Sequence, residues 1–422
     1  MLVNFIGTMG FSIVLPFLVF LVTRFGGNAL IYGVVGAIYP LFQFIGAPVL
    51  GRWSDRYGRR RILLLSQAGT FLSWLIFCVA LVMPIRELLA VHSPLLGDFT
   101  ITTPLLVVTL ARALDGLTGG NISVANAYVA DISSDEDRNR NFGRMGVSAN
   151  LGLILGPAMA SLLGLTVLGE GLPVLAATLI SGVALVLIAV MLPESNPCGL
   201  PSPGDQAQSR GVFGQEIRDC HRAAQEGSRA RDALRQPGVP FLLSLNFLIL
   251  LSFNFFYTAF PVHAVQNLRW TVVETGIFFS VLSLLMVIVE GPVLAGLSRR
   301  LREPVLVICG CLILGVNFLL MQSNQAVWIY VGAVFFALGN GIMWPSVVSL
   351  VAAAGGERFQ GSVQGLAGSA GSLASIVGLV GGGIAFGVFG AGTFLASAAL
   401  AFTSFGLSFR LRSFAFATRG SR

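Results

Sequence analysis

The 422-residue sequence contains no lysine, and only 11% of its residues are charged. A soluble domain carries about 25% charged residues, so this chain lacks the polar side chains to coat a water-facing surface. Its five cysteines (Cys78, Cys198, Cys220, Cys309, Cys311) are odd in number and scattered, which excludes a disulfide framework. Cys309-Gly310-Cys311 sits in an apolar run with no companion Cys or His, so no metal site is expected there. There is no Walker loop, metal-ligand cluster or nucleophile triad, and accordingly no enzymatic activity and no cofactor is expected. No A-x-A-like site closes the first apolar run, so a cleavable signal is not expected. The formal net charge is +7, but the arginines fall in short clusters between apolar segments. A nucleic-acid binder needs a basic stripe on a folded surface, and that class is excluded.

What is abundant is apolar length. Hydrophobic residues make up 55% of the chain, and its 51 glycines sit largely inside apolar runs, as in closely packed membrane helices. A transmembrane helix needs about 20 apolar residues. Reading for that length predicts spans near 3–23, 30–50, 62–83, 105–129, 145–167 and 172–193, then 241–262, 275–296, 305–322, 327–350, 363–387 and 391–410. The expected fold is therefore an all-α membrane protein of twelve transmembrane helices in two pseudo-symmetric six-helix halves. The halves are read as 1–193 and 240–411, joined by an Arg-rich linker at 194–239 and followed by a tail at 412–422. With the N-terminus inside, the interior segments hold 22 arginines and the exterior loops three (Arg24, Arg86, Arg269). The positive-inside rule then predicts a multi-pass protein of the inner (plasma) membrane with both termini cytoplasmic, and a monomer is expected. Paired six-helix halves are a known transporter plan with a site near the bilayer midplane.

Charges inside the spans carry the chemistry. An ionised group at mid-membrane costs about 2.5–3.5 kcal/mol and normally faces a cavity or a partner. Arg112 and Asp115 are three residues apart on one helix face, which makes them either a structural ion pair or a two-state proton site. Glu290 is flanked by apolar residues in Met286–Pro292 and is read as a proton or cation site, or as an acid neutralised by Arg299 or Arg300. In the loop Gly51-Arg52-Trp53-Ser54-Asp55-Arg56-Tyr57-Gly58-Arg59, the arginines set topology. Asp55 and Gly58 exceed that need and suit a breakable cytoplasmic gate comprising Gly51, Asp55, Arg56, Gly58 and Arg59. Gly152, Gly156 and Pro157 combine small residues four apart with a helix-bending proline. Polar or aromatic residues at mid-span are candidates to line a substrate cavity: Asn4, Gln43, Asn150, Asn246, Asn254, Tyr257, Asn340 and Trp344. The phenylalanines, Phe255-Phe256 among them, are further candidates.

Several of these segments resemble one family. Tyr39-Pro40-Leu41-Phe42-Gln43-Phe44, Ala47-Pro48-Val49-Leu50-Gly51 and Ser54-Asp55-Arg56-Tyr57-Gly58-Arg59-Arg60 resemble the major facilitator superfamily, nearest its drug–proton antiporter branch that includes tetracycline exporters. Ala127-Tyr128-Val129-Ala130-Asp131-Ile132 and Leu192-Pro193-Glu194-Ser195 look like the same branch. The resemblance implies that Asp55 and Arg59 form a charge relay with Asp131, that Arg112 acts in proton coupling, and that Gly152, Gly156 and Pro157 belong to the antiporter motif. It also implies proton-coupled efflux of a hydrophobic or amphipathic small molecule by alternating access, with protons, that compound and the bilayer as partners. Two departures stand beside it. The acid expected twelve residues before Pro16 is Asn4, so coupling would shift to Asp115 or Glu290. The helix-11 position matching the Gly-Pro of the antiporter motif reads Gly378-Leu379. A facilitator or symporter for a small metabolite is the alternative reading, and a non-transporting receptor or scaffold a more distant one.

Overall fold

A computed structural model describes residues 2–93, 96–119, 121–133, 135–164, 166, 169, 171–196, 232, 234–354 and 356–411. The first part of the chain forms α1 (Leu2–Ile13), α2 (Leu15–Arg24), α3 (Ala29–Tyr57), α4 (Arg59–Val82), β1 (Glu87–Ser93), β2 (Gly97–Thr102), α5 (Thr103–Thr118), α6 (Asn121–Ile132), α7 (Asp135–Gly164) and α8 (Gly171–Met191). The rest forms α9 (Val239–Gln266), α10 (Val272–Ile288), a π-helical turn (Val289–Val293), α11 (Leu294–Ser298), α12 (Glu303–Leu320), α13 (Ala326–Ala354), α14 (Gly356–Phe389) and α15 (Thr393–Ser408). Most of the 194–239 linker and all of the 412–422 tail lie outside the described residues.

Eight stretches among the described residues are long and apolar enough to cross a membrane, and the last of these, Val363–Ser408, contains both α14 and α15. The interrupted pairs α1/α2 and α5/α6, together with α7, bring the expected twelve into register. Three spans read from sequence as continuous are broken. The first divides at Val14, before Pro16, which has no N–H to give the helical ladder. The span read as 105–129 ends one helix at Thr118 and begins another at Asn121. The span read as 275–296 passes through the π turn, which contains Pro292; a missing N–H is accommodated by a local shift of the ladder. Helix α7 also starts ten residues before the predicted 145, inside the segment read as an interior loop. The loop after α4, read from sequence as exterior, is a two-stranded hairpin, anchored by Thr100 N–H to the Gly26 carbonyl (2.8 Å) and Thr103 N–H to the Arg86 carbonyl (3.0 Å).

Contacts divide the chain into two compact units, one of Met1–Gly26, Ile38–Ala90 and Thr100–Gly227 and the other of Gly27–Ala37, Val91–Phe99 and Ser228–Arg422. In the first, α1 packs on α7, and α4 packs on α5 and α8. A buried cluster of Leu50, Ile62, Leu63, Val124, Tyr128 and Ile188 ties the ends of its helices together. In the second, α9 packs on α14 and α15, and α12 on α13. Its interior is aromatic: Phe260 and Phe278 have ring centroids 4.3 Å apart, and Phe256 lies 5.4 Å from Phe318 and 5.3 Å from Phe336. Lipid tails are as apolar as these rings, so close packing rather than escape from water holds the helices together.

Candidate functional site

The Arg112–Asp115 pair lies on α5 inside the first unit. The guanidinium Nη1 is 3.8 Å from an Asp115 carboxylate oxygen, longer than a hydrogen bond. The guanidinium also sits over the Tyr39 ring of α3, 4.8 Å from its centroid, a cation–π distance. Arg112 is 6% exposed, and its Nε–H has no hydrogen-bond partner. Asp115 opens onto a cavity of about 320 Å³ that is also bounded by Tyr39, Gln43, Gln67, Trp74 and Ser181. Thr70 of α4 lines the same cavity as Asp115. Five helical segments contribute to this cavity, and all lie in one unit.

Close approach of α3, α4 and α5 makes this geometry possible. A Cβ on Gly116 would lie 3.1 Å from the Tyr39 carbonyl carbon, and one on Gly46 would lie 2.8 Å from that of Leu117. The break after Thr118 leaves carbonyls that α5 cannot satisfy itself. Gln43 Nε2 donates to the Gly119 carbonyl at 3.0 Å, and the Ser66 hydroxyl donates to the Thr118 carbonyl. An interrupted membrane helix whose free carbonyls line an internal site is a recurrent transporter device. Sequence reading took 105–129 as one span; two successive glycines, Gly119-Gly120, are the local signal that could have marked the break.

The loop cluster assembles around Arg59, the first residue of α4. Arg59 Nη1 is 2.6 Å from Asp55, its Nε donates to Asp131 of α6 at 3.0 Å, and it also donates to the Ser54 hydroxyl at 2.6 Å. Arg59 and Asp131 are buried, whereas the Asp55 side chain is 66% exposed. Gly58 has φ +98°, a conformation that permits the turn between α3 and α4. Arg56 and Gly51 stand outside the ion-pair cluster: Arg56 lies over the exposed Tyr57 ring at 5.5 Å, and the Gly51 carbonyl accepts from the Ser54 hydroxyl at 2.7 Å.

Sequence reading missed Glu194, which follows α8. Its carboxylate accepts from the Arg59 N–H (2.7 Å), the Arg60 N–H (3.1 Å) and the Asn196 N–H (3.0 Å). An anion on the first amides of α4 satisfies orphan donors and complements the helix dipole. The same segment is fastened by Asn196 Nδ2 to the Asp55 carbonyl (3.0 Å) and by the Tyr128 hydroxyl to the Pro193 carbonyl (3.1 Å). Leu192-Pro193-Glu194-Ser195 was noticed only as a resemblance, because nothing in its spacing points to a loop 135 residues upstream.

Gly152 and Gly156 of α7 lie against α1. A Cβ on Gly152 would be 2.6 Å from the Phe5 carbonyl oxygen, and one on Gly156 would be 2.8 Å from the Ile13 amide nitrogen. The Ser12 hydroxyl donates to the Gly152 carbonyl at 2.9 Å, and Pro157 is buried beside Gly156. Asn4 is 7% exposed and donates from Nδ2 to the Met145 carbonyl at 2.9 Å, so it joins α1 to α7 rather than bounding the cavity. Asn150 is on α7, with its side chain outside the described residues.

The remaining candidates lie in the second unit and do not converge. Asn246 Nδ2 donates to the Ala367 carbonyl at 3.2 Å, and Asn254 donates to the Leu250 carbonyl of its own helix at 2.7 Å. Tyr257 packs on Phe253, with centroids 5.5 Å apart, and Trp344 is half-buried on α13. Phe256 is 1% exposed in the aromatic interior and lines no cavity wall described here. Glu290 lies in the π turn, and a Cβ on Gly341 of α13 would be 3.6 Å from its Cγ. The adjacent Asn340 Nδ2 is 3.9 Å from Met286 Sδ.

Broken apolar helices in two bundles and an ionised pair beside an internal cavity define a polytopic membrane transporter. The chain belongs to the Major Facilitator Superfamily, whose model matches residues 1–379. It is 28% identical over 348 residues to the class C tetracycline resistance protein of Escherichia coli, covering 82% of this chain and 78% of that one. The human organic anion transporter MFSD10 superposes with a TM-score of 0.64 at 21% identity, over 96% of this chain and 97% of that one. The Escherichia coli xylose transporter XylE, in a partially occluded inward-open conformation, gives a TM-score of 0.73 at 15% identity, over 97% and 95% of the two chains.

Proposed function

We propose that this protein exports hydrophobic or amphipathic small molecules of the tetracycline-like drug class in exchange for protons, by alternating access, and that Arg112 and Asp115 are its coupling pair. The observation that carries this reading is a carboxylate on a cavity wall whose arginine partner also rests on an aromatic ring. With Asp115 ionised, the guanidinium is shared between the carboxylate at 3.8 Å and the Tyr39 ring at 4.8 Å. Protonation removes the ion-pair attraction and leaves the Tyr39 face, which supplies about 0.5–2 kcal/mol to a desolvated cation. Arg112 therefore keeps one of its two contacts when the other is lost, so the buried guanidinium is never left without a partner as Asp115 changes charge. The tetracycline resistance relative supports the drug assignment. Glu290, which belongs to the second unit, is a second proton site in this reading.

The gate is the Asp55–Arg59–Asp131 cluster, with Gly51, Arg56 and Gly58 shaping its loop, and Gly152, Gly156 and Pro157 hold α7 against α1. The domain plan is two six-helix halves, 1–193 and 240–411, with the linker and both ends cytoplasmic in the inner membrane. The protein works as a monomer and transforms no substrate chemically. A metabolite facilitator is the second reading, and Asn4 favours it: an amide occupies the position of the expected helix-1 acid, and its donor is engaged by Met145.

Purified protein in liposomes tests these readings. Tetracycline flux should follow an imposed pH gradient. Asp115→Asn should abolish the gradient dependence while preserving downhill exchange, and Glu290→Gln should reduce coupling. Wild-type flux indifferent to the gradient would exclude proton coupling.

A further inference from the structure

We infer that His263 is an acid-sensitive latch in the second unit: its neutral ring ties the end of α9 to the turn between α12 and α13, and a proton on the ring releases that tie. None of the residues involved bounds the cavity of the first unit or takes part in the proposed coupling, so the latch and the export reading are tested separately.

Both nitrogens of one buried side chain are engaged. His263 is 0% exposed. Its Nε2 lies 3.2 Å from the Ser323 backbone carbonyl, and its Nδ1 lies 2.7 Å from Asn267 Nδ2. A backbone carbonyl can only accept, so Nε2 carries the ring proton. Nδ1 faces an amide nitrogen and is the bare acceptor of that pair. The arrangement therefore specifies one protonation state, the neutral ring with its proton on Nε2. The imidazole stands nearly perpendicular to the Phe394 ring of α15 (88°, centroids 5.4 Å apart) and to the Phe386 ring of α14 (78°, 6.4 Å). These apolar walls suit a neutral ring and give an imidazolium nothing to replace its hydration. Turning the Asn267 amide over would offer Oδ1 to a second ring proton, but the charge itself would stay enclosed.

The latch joins two turns. Asn267 follows α9 and is exposed. The chain then folds back through Leu268 N–H to the His263 carbonyl (3.2 Å) and Trp270 N–H to the Ala264 carbonyl (2.9 Å). Arg269 between them has φ +55°, a conformation uncommon for a residue with a side chain. Ser323 lies in the other turn, where its N–H donates to the Leu320 carbonyl at 3.1 Å. Releasing His263 frees the end of α9, which packs on α14 and α15, from the turn that leads into α13.

Charge around the ring settles what acid does. The α12–α13 turn and the stretches of α14 and α15 beside Phe386 and Phe394 contain no charged residue. Glu274 of α10 closes a capping box with Thr271, Tyr330 of α13 packs on Trp270 and Phe278, and Arg269 is exposed. Among the described residues, none of these three has a hydrogen bond, ion pair or ring contact with the imidazole. A carboxylate would hold a proton on the ring; without one, protonation and latching oppose each other. A free imidazole titrates near pH 6.5. Above that pH the released ring is neutral too, and the latch is at full strength. Below it the released ring gains a proton that the latched ring does not, so opening becomes about 10-fold more favourable per pH unit.

Two measurements on the full chain in detergent micelles test the latch. With His92 and His221 changed to Gln, isotope-labelled histidine leaves one imidazole to follow by NMR, and near pH 8 it should be the neutral ring protonated at Nε2. Hydrogen exchange over residues 263–270 and 321–328, corrected for the intrinsic pH dependence of exchange, reports opening. Protection should fall about 10-fold per unit below about pH 6 in this parent. In His263→Gln, whose amide can still donate to Ser323 but cannot titrate, it should change by less than about 3-fold per unit. If that variant does not fold, Asn267→Asp, which sets a carboxylate against Nδ1, should let the ring charge in place and remove the acid-dependent loss. A ring protonated at Nδ1 near pH 8, a ring that charges in the parent with protection unchanged, or equal acid dependence in parent and variant would overturn the assignment.

Discussion

Neutralising Asp55 and neutralising Asp131 should have very different consequences, although the resemblance to known exporters places both in one charge relay. Both carboxylates contact Arg59, at 2.6 Å and 3.0 Å respectively. By distance alone Asp55 would be the stronger partner. Burial reverses that order. The Asp55 side chain is 66% exposed, so water and salt screen its pairing, and exposed pairs contribute about 0.2–1 kcal/mol. Asp131 and Arg59 are 7% and 9% exposed, and a hydrogen bond to a charged group in such a place contributes about 1.5–3 kcal/mol. Removing the arginine is worse still, because it leaves a buried carboxylate without its guanidinium, at a cost of about 3–5 kcal/mol. The expected order of destabilisation is Arg59→Gln, then Asp131→Asn, then Asp55→Asn. Loss of the monodisperse gel-filtration peak after heating, followed for each variant in the same detergent, measures that order. An Asp55→Asn loss equal to or larger than that of Asp131→Asn would refute the reasoning that burial rather than distance sets the strength of this cluster.

Two further outcomes follow from the same unit. Gly152→Ala should cost about 1–3 kcal/mol through overpacking, because the new methyl would lie 2.6 Å from a backbone carbonyl oxygen that cannot rotate away; heat stability should fall, and proton leak through liposomes should rise as α1 and α7 separate. Glu194→Gln should cost about 0.5–2 kcal/mol, since a neutral amide holds the first N–H groups of α4 less strongly than a carboxylate. Glu194→Asp should recover less than wild-type stability, and a Glu194→Gln protein as heat-stable as wild type would show that the cap contributes nothing.

The membrane class, the spans and the ionised pair were legible because each depends on local composition or spacing. Twenty apolar residues in a row have few other stable solutions, and residues three apart on a helix are neighbours in any fold. What stayed hidden depends on distant partners. Asn4 looked like a cavity residue by type, yet its amide is taken by Met145, 141 residues away. Phe256 looked like pocket lining, yet its ring is enclosed by those of Phe260, Phe318 and Phe336. Gln67 drew no notice because a glutamine in an apolar run has no distinctive spacing. Only the position of Ser181, 114 residues on, shows which end of its amide is engaged.

The sequence by itself determined that the protein lives in a bilayer and that Arg112 and Asp115 must share a face, since composition and helical period act over a few residues. The tertiary structure alone decided that Arg112 rests between a carboxylate and the Tyr39 ring, that Glu194 caps α4, and that Asp115 opens onto a cavity bounded by five helical segments. These are properties of which helices lie against one another, and in a membrane that choice follows close packing at positions such as Gly46, Gly116 and Gly152 rather than any pattern along the chain.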